Sequence, residues 1–257
     1  MISTLPSFEF VAKKPMVADV DDAIWTRRWG GAARNLVRHA QTVVAGNTFL
    51  AEYFSTLSHD VHVIPTAVDI HRFSPLPAPS LRSYGVIGWS GTSGGYAYFT
   101  QLVRPIAELL ARFPDWKIRF ISDAPPPFTG FPSGQMEYRP WSPETEAWLT
   151  ADMDIGLMPL DDSIWSQGKC SYKMLLYMAC AVPVVVSDIG MNSEILRMAP
   201  VGMGVKTPAQ WVAGLEALMR DSAMRQRMGV AGRLLVEHQF SIERVAGLWC
   251  NVLAKFK

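Results

Sequence analysis

Two lysines four residues apart, Lys169 and Lys173, stand where a polar stretch runs into an apolar helical pattern, in GKCSYKMLLYMACAVPVVVSDIG from Gly168 to Gly190. Lysine normally favours the C-terminal end of a helix, so a pair at a start points to an anion held by free N–H groups and the positive end of the dipole. Lys169 is the stronger candidate for phosphate oxygens. A solvated pair of surface cations is the plain alternative. A second motif of the same kind is GWSGTSGGY, Gly88 to Tyr96. Gly88, Gly91 and Gly94 let backbone approach a ligand closely, and Ser90, Thr92 and Ser93 offer hydroxyls. An ordinary glycine-rich turn between strand and helix would look the same.

Other candidates are weaker. Asp161, Asp162 and Trp165 share the loop DDSIWSQGK, where the carboxylates could meet hydroxyls and the indole could stack on a sugar or base. Asp188 and Glu194 flank a strand end and a helix start, where a carboxylate also suits the dipole. Asp19, Asp21 and Asp22 form DVDD, which contains a metal-type Asp-x-Asp spacing; a structural role is the stronger reading. The histidines, at 39, 59, 62, 71 and 238, show no ligand spacing. Cys170, Cys180 and Cys250 form no CxxC pair, which points to a reducing compartment and against a disulfide framework.

Elements able to position these groups are legible. YGVIGWS, WKIRFISD, MEYRP, DIGLMPL, PVVVSD and GMGVK read as strands. Between them lie helical patterns, one carrying Phe99, Leu102, Val103, Ile106, Leu109 and Leu110 on one face. Ser142 and Pro143 read as cap and first residue of a further helix, Thr207 with Gln210 as a capping box, and Ser241 as the last cap, with Phe240 and Val245 as its staple. Strands alternating with helices predict βαβ units in a parallel sheet, with ligands beyond the carboxyl ends of the strands. PMVADVDDAIW, TVVAGN and VHVIPTAVD look like three more strand ends, about half of a doubly wound unit.

The 257 residues suffice for one large or two modest domains. With 49% apolar and 18% charged residues a sizeable core is expected, and a net charge of +1 gives no nucleic-acid footprint. The longest apolar run, about a dozen residues, is too short for the ~20 that a bilayer needs. The expected location is cytoplasmic, with room for peripheral membrane contact.

At this point the order of motifs resembles the group 1, or family 4, glycosyltransferases of GT-B fold. AGNTFLAEYF followed by VHVIPTAVDIHRFSP resembles the segment joining the two domains of that family. The stretch from Asp154 to Ile195 resembles its donor-binding core. The resemblance implies two Rossmann-like domains across a cleft, the C-terminal one binding a UDP- or GDP-type sugar and the N-terminal one a glycan or lipid-linked acceptor. It implies retaining transfer with no metal and no cofactor besides the donor. It places Asp161, Trp165, Gly168, Cys170, Ser171, Asp188, Gly190 and Glu194 in the donor pocket and Asp21 and Asp22 on the acceptor side; it names no catalytic residue.

The chain departs from the family pattern in three ways. The family's Glu-x7-Glu falls here on Gly168 and Leu176, and Leu176 cannot accept a ribose hydrogen bond. The basic pair usual after the first strand of the donor domain is replaced by GWSGTSGG. Only about 15 residues precede the DDA-like strand, so the chain reads as an N-terminally shortened member. The expected organisation is a partial acceptor-side domain over 1–76, a linker over 77–83, a donor domain over 84–239 and a C-terminal helix over 240–257 packing back on the first part. The rival expectation is a non-catalytic, transferase-like nucleotide or partner binder completed as a homo-oligomer.

Overall fold

The structure, a computed structural model, describes residues 15–28, 30–77 and 82–256. It holds two parallel sheets. The smaller has strands β1 (Val17–Val20), β2 (Thr42–Ala45) and β3 (Val61–Val63) in that spatial order. Helices α1 (Gly30–His39) and α2 (Thr48–Phe54) make its crossovers. All four β2 residues are buried, as suits the middle strand of a covered parallel sheet.

The larger sheet has six strands: β4 (Gly85–Ser90), β5 (Trp116–Ser122), β6 (Met136–Pro140), β7 (Ile155–Met158), β8 (Val184–Ser187) and β9 (Gly202–Val205). Their order is β6-β5-β4-β7-β8-β9, every neighbour parallel. The chain leaves β4 in one direction and returns to the other side of it at β7. That reversal opens a crevice beyond the carboxyl ends of β4 and β7.

The helices of this part are α3 (Val103–Ala111), α4 (Glu146–Ala151), α5 (Ile164–Gln167), α6 (Tyr172–Ala179), α7 (Gly190–Met198), α8 (Pro208–Arg220) and α9 (Ser222–Gln239). Two local expectations are corrected. The helix predicted across Phe99 to Leu110 breaks into a 3-10 segment, Ser93–Phe99, and α3. α4 starts at Glu146 rather than Pro143; Ser142 instead caps a turn, its hydroxyl accepting from the Thr145 N–H at 3.3 Å. The Thr207–Gln210 capping box forms as read.

One apolar core joins the two sheets. It runs from Val20, Leu50 and Phe54 to Met174, Tyr177 and Val236, so α6 is buried between them. Tyr177 is wholly buried and its Oη accepts the Ser90 N–H at 2.8 Å, which fixes α6 to the end of β4. Gly156 makes room for the ring: a Cβ there would stand 2.5 Å from Tyr177 Cδ2. Arg233 of α9 ties the parts together by donating to the carbonyls of Ile70, Phe73 and Ala179 at 3.1, 2.8 and 2.7 Å.

The last helix, α10 (Ile242–Leu253), lies against the small sheet. Val245 and Val252 pack with Val44 and Ile64, and Ser241 bridges Val68. Ser241 caps α10 as read, but Phe240 is buried in the main core and Val245 in this separate cluster, so the expected staple does not form.

Candidate active site

At the end of β4 the turn Ser90–Gly94 has most of its amides already occupied. Besides the Ser90–Tyr177 bond, Gly91 N–H reaches Ile121 O at 3.0 Å and Gly95 N–H reaches Thr92 O at 2.8 Å. Ser93 is taken on both its groups: its N–H donates to Asp123 Oδ1 at 2.6 Å and its hydroxyl to Oδ2 at 3.1 Å. These bonds, with one from Ser122, hold the Asp123 carboxyl below its usual range. Gly88 lies inside the strand, buried, where a Cβ would strike the Met153 side chain; it serves packing rather than a phosphate. What remains open is Thr92, whose amide and hydroxyl bond no described residue, with the exposed Gly94 beside it.

Lys173, in the first turn of α6, is half-buried and makes no hydrogen bond or ion pair with a described residue. Burial, and then the nearby Lys169, push its ammonium below the usual lysine range. Its stem passes so close to the turn that a Cβ on Gly91 would stand 2.6 Å from Lys173 Cε. Lys169, favoured by the sequence, is instead paired with Asp22 at 3.0 Å. Its Nζ also lies 4.4 Å from the Trp165 ring centroid, while Arg27 stacks on the same ring at 3.7 Å.

Two cavities meet at Thr92 and Lys173. The smaller, about 280 Å³, is walled by Ser90, Gly91, Trp141, Glu146, Tyr172 and Leu176. The larger, about 450 Å³, is walled by Gly94, Arg27, Tyr98, Leu160, Trp165 and Lys169. Thr92 and Lys173 line both. The strand reversal thus carries a two-lobed cleft with an uncompensated cation and an open N–H at its waist.

The loop into α6 is closed by the protein's own groups. Asn47 caps α2, accepting the Leu50 N–H at 2.8 Å, while its Nδ2 donates to the carbonyls of Gly168 and Lys169 at 3.2 Å each. Cys170 Sγ donates to Asp21 O at 3.0 Å. Burial, reinforced by Asp21 and Asp22, pushes that thiol up to about 12, which removes it as a nucleophile. Ser171 has φ +52°, and its hydroxyl bonds Asn192 Oδ1 at 2.7 Å. Asn192 donates in turn to Ser187 O at 3.0 Å, and Ser187 Oγ accepts the Leu160 N–H at 2.8 Å. Gly168 is tight against the small-sheet part, where a Cβ would stand 2.6 Å from that of Ala23. Gly190 has φ +47°, and a Cβ there would meet Gln167 O at 2.6 Å.

Of the eight residues that the resemblance put in the donor pocket, only Trp165 lines the two-lobed cleft. Gly168, Cys170, Ser171 and Gly190 hold the loop. Asp161 accepts from the hydroxyls of Ser163 and Ser166 and shapes its own turn. Asp188 takes Ser193 at 2.6 Å and Lys206 at 3.6 Å, and Glu194 takes Thr48 at 3.2 Å. Asp21 and Asp22 do reach the seam, through Cys170 and Lys169. Sequence reasoning did not single out Asn47 or Glu146. The asparagine had a signal, since it precedes the apolar helical run TFLAEYF as a cap should.

The family model described as Glycosyl transferases group 1 matches residues 86–221, more than half of the chain. No curated protein matched the sequence. Among solved structures, Anabaena HepE in complex with UDP and glucose superposes with a TM-score of 0.76 at 13% identity, over 96% of this chain and 73% of that one. Sucrose-phosphate synthase from Thermosynechococcus elongatus gives 0.66 at 13%, covering 92% of this chain and 64% of that one. A Staphylococcus aureus TarM mutant in complex with fondaparinux, α-GlcNAc-glycerol and UDP gives 0.69 at 11%, covering 93% and 50%. The chain therefore spans less than two thirds of the length of the synthase and of TarM. These likenesses give the fold as GT-B type with Rossmann-like sheets. With the family match across β4 to the end of α8, the chain belongs to the group 1 glycosyltransferases.

Proposed function

We propose that this chain transfers a sugar from a nucleotide-diphosphate donor to a glycan or lipid-linked acceptor. The carrying observation is the pairing of unpartnered Lys173 and open Thr92 where the two cavities meet. A nucleotide sugar has a matching outline: nucleoside in the smaller lobe beside Trp141, diphosphate at the waist, sugar in the larger lobe beside Tyr98 and Trp165. As the glycosidic bond to the diphosphate breaks, negative charge grows on the leaving phosphate oxygen. Lys173 and the Thr92 N–H stand where they would stabilise it without a metal ion, and such preorganised electrostatics is often the largest catalytic contribution. The acceptor approaches from the side of the small sheet, past Asp21. Anabaena HepE, crystallised with UDP and glucose, supports the donor class by likeness of fold.

The test is calorimetric titration with UDP, GDP, ADP and CMP, followed by release of the free nucleotide from the sugar conjugate of the best binder, with and without EDTA. Saturable binding of one diphosphate and EDTA-insensitive turnover are expected. Failure of every nucleotide to bind would remove the proposal.

A further inference from the structure

The smaller cavity contains a charged group for which the chemistry above gives no task. Glu146 opens α4 on the cavity wall, its side chain only 16% exposed. Its Oε2 accepts from Arg72 Nη2 at 3.2 Å, and Oε1 accepts from no described residue. The other carboxylate on the wall, Asp123, has both oxygens occupied by Ser93. Leu176, 3% exposed, offers nothing polar. Trp141 presents an indole that is 45% exposed. One cavity thus offers a flat apolar face, a single open carboxylate oxygen and, at its rim, an unpaired ammonium. These ask of a ligand a planar ring, a hydroxyl donor and an anion, and a ribonucleoside diphosphate has all three. That carboxylate oxygen is free to accept a hydrogen bond, and a ligand hydroxyl on that wall would supply it.

We infer that Glu146, held in place by Arg72, accepts the ribose hydroxyls of the donor and makes the site selective for ribonucleotides. This rests on the reading of the cleft as a nucleotide-sugar site. It also assigns the missing acceptor at position 176 a replacement on a different helix: the carboxylate reaches the same cavity from α4 instead of α6.

The experiment measures the affinity of the full chain for UDP, 2′-deoxy-UDP and 3′-deoxy-UDP by calorimetry, and repeats it with the GDP series if UDP does not bind. A hydrogen bond to a charged acceptor predicts that the ribonucleotide binds roughly ten- to a hundredfold tighter than at least one deoxy form. Glu146→Ala should bring that ratio close to one, with a melting curve to verify folding. Lys173→Met should weaken all three nucleotides in parallel and preserve the ratio. A wild-type ratio near one overturns the inference without any variant. A ratio that survives Glu146→Ala overturns it while leaving the nucleotide reading intact. Absence of binding by every nucleotide in both series overturns the two together.

Discussion

The loop into α6 and the turn after β4 are made of similar material, glycine and serine leading into a helix at one seam, yet their fates differ. In the first, Asn47 takes the carbonyls, Asp22 takes Lys169, Asp21 O takes the thiol and Asn192 takes the serine. In the second, Asp123 and Tyr177 take several groups but leave Thr92 open beside Lys173. A helix entrance rich in donors is therefore not yet an anion site. What decides is which donors and cations the fold leaves without an internal partner, because only those repay the cost of desolvating a ligand.

The comparison breaks most visibly at Asn47. Asn47→Ala removes the α2 cap and strands the Gly168 and Lys169 carbonyls, so stability should fall by about 2–3 kcal/mol, read as a lower denaturant midpoint at unchanged m-value. A loss near zero would mean that the loop is not held from the small-sheet side. Next come the two lysines. Lys173→Met should weaken nucleoside diphosphate binding roughly ten- to a hundredfold, and Lys169→Met by no more than about threefold, since Lys169 is already neutralised by Asp22. The reverse ranking would return the phosphate to Lys169.

pH sharpens the same contrast. Lys173 is depressed by burial, and an anion favours its charged form, so affinity is full below its pKa in the free protein and declines as pH rises through it. That decline should begin below the usual lysine range, with proton uptake on binding, and Lys173→Met should flatten the profile there. The smallest effect concerns the cysteines. Cys170 and Cys180 are buried and each is pushed up to about 12, while Cys250 is exposed. A maleimide should modify the native protein once, at Cys250; labelling of Cys170 before unfolding would show that the seam opens.

The strands of the large sheet were legible because buried parallel strands are short apolar runs, PVVVSD at β8 being the plainest. Caps written in local spacing were legible too, at Thr207 and Ser241. The split helix after β4 was not, since apolar periodicity continues through the turn at Thr100–Leu102 that separates the 3-10 segment from α3. Which residues gather beyond the strand ends was partly legible; which partners each of them meets was not. Lys169 meets Asp22 across 147 residues, and Asn47 meets Gly168 across 121. No local spacing records who faces a side chain at that distance. Leu176 could be seen to lack a polar group, but only the fold brings Glu146 to the same cavity.

Helix α10 closes against strands made some two hundred residues earlier. Val44 and Ile64 receive Val245 and Val252 as their cover. During synthesis these two apolar side chains must wait for a helix that is translated about two hundred residues after them. The outer cover of the small sheet therefore forms only after the strands of the large sheet have been made.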